Sequence, residues 1–573
     1  MFSLHGVGVG GGIAIGRARR LEASERDVPR YHVLEKQVER ELARLETALE
    51  VVKAELQAVG DQLPEEGPAE AKALLDVHVM ILDDPTLVDA ARENVREHLH
   101  NAEWAFAAQA VQLAAQFDEI DDAYLRERGR DVLQVADRVI RVLSGSRMRA
   151  ESASGDDPRI FVAEDLSPAD MLSLRSALGF AIDLGGATSH TAILARGLNV
   201  PAVVGAGAAS RLIADDDWLV LDGEQGVVIV APDESVLAHY RHLQAVSLRE
   251  REALEKLLDV PAVTLDGTPI HLCANIERPE EAAVALAAGA EGVGLFRSEF
   301  LFLNRRDLPD EDEQYEAYRE AVEAMRGRTV TIRTLDVGAD KALARAGASV
   351  AQNPALGRRA IRYCLSQPTM FLVQLRAILR ASAHGPVRLL IPMLAHGHEI
   401  DQTLRLIGIA KAQLRERRIA FDERMPVGGM VEIPAAALSA SLFVRRLDFL
   451  SIGTNDLTQY TLAIDRADHE VASLYEPFHP SVLRLVSMTI RAAVRAGKPV
   501  AVCGEMAGDW AATQLLLGMG LREFSMHPSS LLRVKREILR AHIPTLAPRV
   551  TRLLQAVDPL RMRSQLARLV AAG

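Results

Sequence analysis

A chain of 573 residues has room for about three or four ordinary domains, and with 49% hydrophobic and 25% charged residues it can bury large cores. The formal net charge of −12 argues against a nucleic-acid partner and gives no attraction to anionic membranes. Three dispersed cysteines, Cys273, Cys364 and Cys503, suit neither a disulfide framework nor a structural zinc site, and with no bilayer-spanning apolar run and no secretory leader a cytoplasmic protein without membrane insertion is expected.

Residues 1–20 carry a Gly-rich strand pattern, Gly6 to Gly10 and then Ile13 to Ala18, which reads as an edge piece of a β-containing domain. From Val33 the period changes. Val38, Leu42, Leu45, Leu49, Val52, Leu56 and Val59 recur at alternating spacings of four and three, the mark of one long helix with a single apolar seam. Helical patterns follow over Ala69–Leu82, Asp84–Phe117 and Asp121–Leu143, so residues 21–145 are expected to form an antiparallel bundle. Strand patterns return at Arg159–Val162, Gly179–Leu184, Ala202–Val204, Trp218–Leu221 and Gly226–Val230. The simplest account is one α/β domain made of residues 1–20 plus 146–231, interrupted by the bundle. Pro232-Asp233-Glu234 then opens a charged connecting helix within 232–260.

From residue 261 onward, strand and helix patterns alternate. Candidate strands at 270–274, 292–296, 329–334, 388–393, 427–432, 449–453, 499–503 and 523–526 are each followed by a helical pattern, which matches a (β/α)₈ barrel; a doubly wound open sheet is the competitor. The polar residues favour the barrel. Reading the strand ends in order gives Asn275, Arg297, Arg333 with Asp336, Met393, Glu432, Asn455 with Asp456, and Cys503 with Glu505. In such barrels chemistry collects at that rim. Arg297, Arg333 and Arg466 are planar cations suited to phosphate or carboxylate. Glu432 and Asp456 are hard oxygen ligands fitting Mg²⁺, and Asn455 offers an amide. Cys503 can deliver a proton to carbon. Singly, each of these residues reads as an ion pair, a helix cap or an inert core thiol. As one rim they read as a site.

A second motif lies upstream, in Gly185-Gly186-Ala187-Thr188-Ser189-His190-Thr191-Ala192. An apolar strand, a glycine turn and a short helix bring unpaired backbone N–H groups together, an environment that favours phosphate. His190 at that turn is a candidate phosphoryl carrier; the other reading is a helix cap at Ser189 or Thr188 with His190 merely nearby.

Together these residues resemble Enzyme I of the bacterial phosphotransferase system, the phosphoenolpyruvate–protein phosphotransferases. The matching stretches are 185–192, Gly-Val-Gly-Leu-Phe-Arg-Ser-Glu-Phe-Leu-Phe (292–302), Asp336-Val-Gly-Ala-Asp-Lys341, Gln374 to Ser382, Met430-Val-Glu-Ile-Pro434, Ser451 to Tyr460 and Cys503-Gly-Glu-Met-Ala-Gly508. They occur in family order along the whole chain. The resemblance implies a swivelling phosphohistidine domain with an inserted helical bundle, then a phosphoenolpyruvate-binding barrel that forms a homodimer. It implies that His190 is phosphorylated, that Arg297, Arg333, Asn455, Asp456 and Arg466 bind phosphoenolpyruvate, that Glu432 and Asp456 hold Mg²⁺, and that Cys503 protonates the product. The implied acceptor is the carrier protein HPr, docking on the bundle where His78 matches a docking segment; on pattern alone His78 reads as a plain helix residue. The implied role is the first step of sugar uptake, with a nitrogen-regulatory or other specialised phosphotransferase serving a different HPr-like acceptor as the alternative.

Several positions depart from the family pattern. Ala187 stands where a basic residue is common, and Ala339 replaces a glycine. Ala355 and Arg358 replace large aromatics, and Ile433 replaces threonine. None removes a named catalytic group. Relatives that phosphorylate pyruvate with ATP need a large extra domain, for which residues 21–145, without a phosphate-binding glycine loop, leave no room.

Overall fold

The computed structural model describes residues 1–21, 28–61, 69–118, 123–145, 158–174, 177–186, 189–198, 200–303, 305, 307–337, 353, 355–465 and 471–571. It divides into two compact units, Met1–Glu250 and Arg251–Gly573.

The first unit contains a mixed eight-stranded sheet. Its strands are β1 (Phe2–His5), β2 (Val7–Val9), β3 (Ile13–Arg20), β4 (Ile160–Ala163), β5 (Gly179–Ile182), β6 (Ala202–Val204), β7 (Trp218–Asp222) and β8 (Val227–Val230). They lie in the order β1-β8-β7-β3-β4-β5-β6-β2. The expectation of an N-terminal edge piece holds for β1 and β2, which occupy the two opposite edges. It fails for β3, which lies inside the sheet between β7 and β4. Only long-range pairing, Ala18 with Ile160 and Ile15 with Val220, reveals that position.

Between β3 and β4 run the helices α1 (Val38–Asp61), α2 (Ala69–Leu82), α3 (Pro85–Glu97), α4 (Ala102–Asp118) and α5 (Ala123–Leu143). The α1 seam faces inward as its spacing dictates: Leu45, Leu49, Val52 and Leu56 share a core with Phe106 and Val139. The single pattern expected over Asp84–Phe117 is broken into α3 and α4. Leu99 turns left-handed (φ 56°). The fully buried Asn101 donates to Pro29 O (2.8 Å) and Glu103 Oε2 (2.8 Å) and accepts from Tyr31 N (3.1 Å). These polar anchors outweigh a periodicity that registers only apolar positions. The remaining helices of this unit are α6 (Pro168–Ser173), α7 (His190–Gly197) and α8 (Ala209–Leu212), and α9 (Glu234–Glu255) follows, its first turn capped by the Asp233 carboxylate on Val236 N (2.9 Å).

In the second unit, β9 (His271–Ile276), β10 (Val293–Arg297), β11 (Val330–Arg333), β12 (Val387–Ile391), β13 (Val427–Val431), β14 (Phe449–Ile452), β15 (Val500–Val502) and β16 (Glu523–Met526) form a closed parallel barrel. The open-sheet alternative is excluded by the pairing of β16 with β9, Phe524 beside Leu272. Helices α10 (Glu281–Ala287), α11 (Glu311–Ala324), α12 (Ala360–Ser366) and α13 (Pro368–Ala381) belong to the first half of the outer layer. Inside the barrel, Leu295, Leu390, Met430, Phe449 and Cys503 make one small apolar cluster. Facing side chains must interdigitate there, and β13 makes room with Gly428: a Cβ on it would lie 2.4 Å from the Phe449 ring.

Gly428→Ala therefore over-packs the interior, and we expect it to lower stability by about 1–3 kcal/mol. A fall in the urea midpoint of the full chain, with the slope unchanged, is the measurement.

Candidate active site

The barrel brings strand ends that are far apart in sequence into one rim. Arg297 is the last residue of β10, Arg333 of β11, and Glu432 follows β13 directly. Asn455 and Asp456 open the helix Thr454–Leu462 after β14, and Cys503 follows β15. Arg297, Arg333, Glu432, Asn455, Asp456 and Cys503 all border one cavity of about 1050 Å³. Arg466 lies outside the described residues.

The anionic part of the cavity is larger than the sequence suggested. Asp336, Glu432 and Asp456 each present a carboxylate oxygen, and these three atoms lie within 4.8 Å of one another. Glu432 is 1% exposed and accepts a 2.6 Å hydrogen bond from Met393 N. That bond gives the apolar Met393, two residues beyond β12, a part in the rim. Met393 adopts a left-handed turn (φ 56°) that aims its N–H at the carboxylate, so its backbone rather than its side chain serves the site. Burial, followed by the neighbouring charges of Asp336 and Asp456, raises the Glu432 carboxyl well above the usual carboxylate range. Such crowding is relieved by a divalent cation, and an all-oxygen set of this kind fits Mg²⁺.

The cationic part is already engaged with carboxylates. Arg333 Nη2 donates to Glu299 Oε1 (2.9 Å), and Nη1 lies 3.1 Å from Asp336 Oδ2. Burial alone would loosen its proton, but Glu299, Asp336 and Glu432 outweigh that and keep the guanidinium charged. Arg297 pairs with the exposed Glu277 at the cavity mouth. Arg359 is an arginine that the strand-end rule overlooked, because it precedes α12 instead of ending a strand. It holds Asp336 (2.9 Å), lies 3.8 Å from Asp456 and donates to Tyr460 OH (3.3 Å).

Cys503 is 2% exposed, with its Sγ 3.6 Å from Ile452 O. Burial pushes its thiol up to about 11, so it is a protonated donor at neutral pH. Asn275 donates to Cys503 O (2.9 Å) and accepts from Ser525 (2.6 Å), which makes it a support of the thiol's backbone. The Asn455 amide exchanges two hydrogen bonds with Glu505, 3.0 Å to its carboxylate and 2.9 Å from its N–H.

In the first unit, His190 is the first residue of α7 and Ser189 is its N-cap, accepting from Ala192 N at 3.3 Å. The two sequence readings of this turn are therefore compatible: Ser189 caps, and His190 occupies the positive end of the helix. Gly185 makes the turn in a left-handed conformation (φ 97°), where an added Cβ would stand 3.0 Å from Ser189 Oγ. His78 is 2% exposed, its Nε2 3.7 Å from the buried Asp131. It belongs to the bundle core and presents no surface to a docking partner. Among the departures, Ala355 borders the cavity, Ile433 precedes the helix Pro434–Leu438, and Arg358 is exposed. Ala187 and Ala339 lie outside the described residues.

Comparison with known proteins fits this arrangement. The family model described as the PEP-binding domain of PEP-utilising enzymes matches residues 251–543. The N-terminal and mobile-domain models of the same enzymes match 5–128 and 155–226. A phosphoenolpyruvate-protein phosphotransferase of Cupriavidus necator is 57% identical over 571 residues, 97% of either chain. Those of Geobacillus stearothermophilus (41% identical; 94% of this chain, 93% of the relative) and Listeria innocua (39%; 94% of each) are similar over nearly their whole length. The chain belongs to the phosphoenolpyruvate–protein phosphotransferase family.

Proposed function

We propose that this member of the family takes the phosphoryl group of phosphoenolpyruvate onto His190 and passes it to an HPr-type carrier protein, as the first step of sugar uptake in the cytoplasm. The observation that carries the reading is one cavity bordered by the converging carboxylates of Asp336, Glu432 and Asp456, by the arginines Arg297, Arg333 and Arg359, and by a protonated thiol. A trianionic enol phosphate needs cations around its phosphate and carboxylate, and a proton donor for its methylene carbon.

Arg297, Arg333 and Arg359, with Arg466 from beyond the described residues, receive the phosphate and carboxylate; Asn455 orients the ester. Glu432 and Asp456 hold Mg²⁺, with Asp336 beside them, and the cation when bound neutralises charge on the transferring phosphoryl group. The His190 imidazole attacks phosphorus as the enolate leaves, and Cys503 gives its proton to the enolate carbon, forming pyruvate. His190 and the cavity belong to different units, so the carrier must travel between its donor and its acceptor. A homodimer formed through the barrel completes the proposal. An acceptor of the nitrogen-regulatory kind is the competing assignment, and pyruvate release measured with each purified carrier distinguishes the two.

Three outcomes are expected. With labelled phosphoenolpyruvate, His190→Ala forms no acid-labile phosphoenzyme; retained label refutes the carrier role. Cys503→Ala binds phosphoenolpyruvate but turns over ~10²–10⁴-fold more slowly, read as pyruvate release. Mg²⁺ at about 100 times its Kd stabilises the protein by ~2.7 kcal/mol, seen as a rise in Tm. Glu432→Gln loses that rise, and a shift that survives the substitution places the cation elsewhere.

A further inference from the structure

Gln374, in the middle of α13, is fully buried, as is Tyr318 on α11. An amide and a phenol at a helix–barrel contact cost desolvation that leucine or phenylalanine would avoid. Here both are satisfied. Gln374 Nε2 donates to Ser298 Oγ (3.1 Å) and to Tyr318 OH (3.1 Å), and its Oε1 accepts from Leu335 N (3.1 Å). Ser298 Oγ in turn donates to Arg333 O (2.8 Å). Gln374 thus grips the backbone on both sides of Thr334 from behind the cavity wall.

Glu299 extends the same grip to the side chains. Its Oε1 accepts from Arg333 Nη2 (2.9 Å) and from Asp336 N (3.0 Å). Arg333 Nη1 meets Asp336 Oδ2 at 3.1 Å. Two sets of hydrogen bonds, joined through the backbone at Ser298–Glu299 and Leu335–Asp336, therefore lead from α13, through the turns after β10 and β11, to one guanidinium and one carboxylate of the cavity. Replacing buried ionic groups by apolar ones is often neutral for stability, so stability is a weak reason for these bonds to exist. Fixed geometry at a charge-handling site is a stronger one, since a displacement of about 1 Å costs on the order of 10²-fold in rate.

We infer that Glu299 and Gln374 are positioning residues, which hold Arg333 and Asp336 in their working arrangement before substrate arrives. The inference rests on the reading of Arg333 given above as a phosphoenolpyruvate contact. It also supplies a physical role for the Gln374–Ser382 motif, whose members border no part of the cavity.

Thermodynamic cycles test it. kcat and KM for phosphoenolpyruvate are measured for Glu299→Gln, Gln374→Met and Arg333→Lys, and for each of the first two combined with Arg333→Lys, together with the Tm of every variant. Glu299→Gln and Gln374→Met are each expected to lower kcat/KM by about tenfold or more, mainly through kcat. In the Arg333→Lys background each should cost clearly less than it does alone, because one of the two groups it positions is already altered. Losses that multiply independently, or that follow the folded fraction given by Tm, overturn the inference and leave the reading of Arg333 intact. If Arg333→Lys alone leaves kcat/KM unchanged, that reading fails and the inference falls with it. Either Glu299→Gln or Gln374→Met suffices should the other not fold.

Discussion

Three carboxylates converging in a poorly solvated corner of the barrel rim set the terms for the rest of the site. Two unit charges 4 Å apart interact by ~4 kcal/mol at an effective dielectric near 20, so Asp336, Glu432 and Asp456 could not share that corner as anions without compensation. Some of it is visible as the raised Glu432 carboxyl. The rest comes from Arg333 and Arg359, which grip Asp336 from two sides, and from the Met393 N–H aimed at Glu432. Arg333, Asp336 and Arg359 come from the end of β11 and the loop after it, and Met393, Glu432 and Asp456 from the segments after β12, β13 and β14. Pairing of these strands is therefore what assembles the charge cluster.

The same balance explains the thiol. Cys503 stands in an apolar interior cluster yet beside the charged rim, and burial dominates its proton affinity. A thiol kept neutral there can act as an acid, where an exposed one would be partly ionised and prone to side reactions. The Gly428 beneath the Phe449 ring, and Asn275 behind the Cys503 carbonyl, are the packing and polar details that hold this group in place. In the first unit, α7 starts from a turn made by Gly185 and a cap made by Ser189, which leaves the positive end of the helix dipole at that turn.

Much was legible in the residues alone. Helix α1 followed from the Val38–Val59 seam because helical periodicity is a local property, visible in any window of a dozen residues. The barrel strands were placed to within a few residues for the same reason, and Arg297, Arg333, Glu432 and Cys503 stood out as polar groups at the C-terminal ends of apolar runs. The failures share a cause. Asp336 was seen at the rim but not as a third carboxylate of the cation cluster, because its nearness to Asp456 exists only across the closed barrel. Arg359 and Glu299 end no strand, so strand-end reading passed over both, although Glu299 lies within the 292–302 stretch. The interior place of β3 and the α3–α4 break at Asn101 both depend on partners dozens to hundreds of residues away.

Sequence by itself determined the order of helices and strands, the family, and several of the charged groups that border the cavity, since each is written in local spacing or in a contiguous motif. Tertiary structure alone decided which charges face one another, which arginine serves which carboxylate, and which of the three buried thiols borders the cavity. Those are matters of distance in space, and electrostatic energy depends on that distance and on burial, neither of which any local stretch of chain encodes.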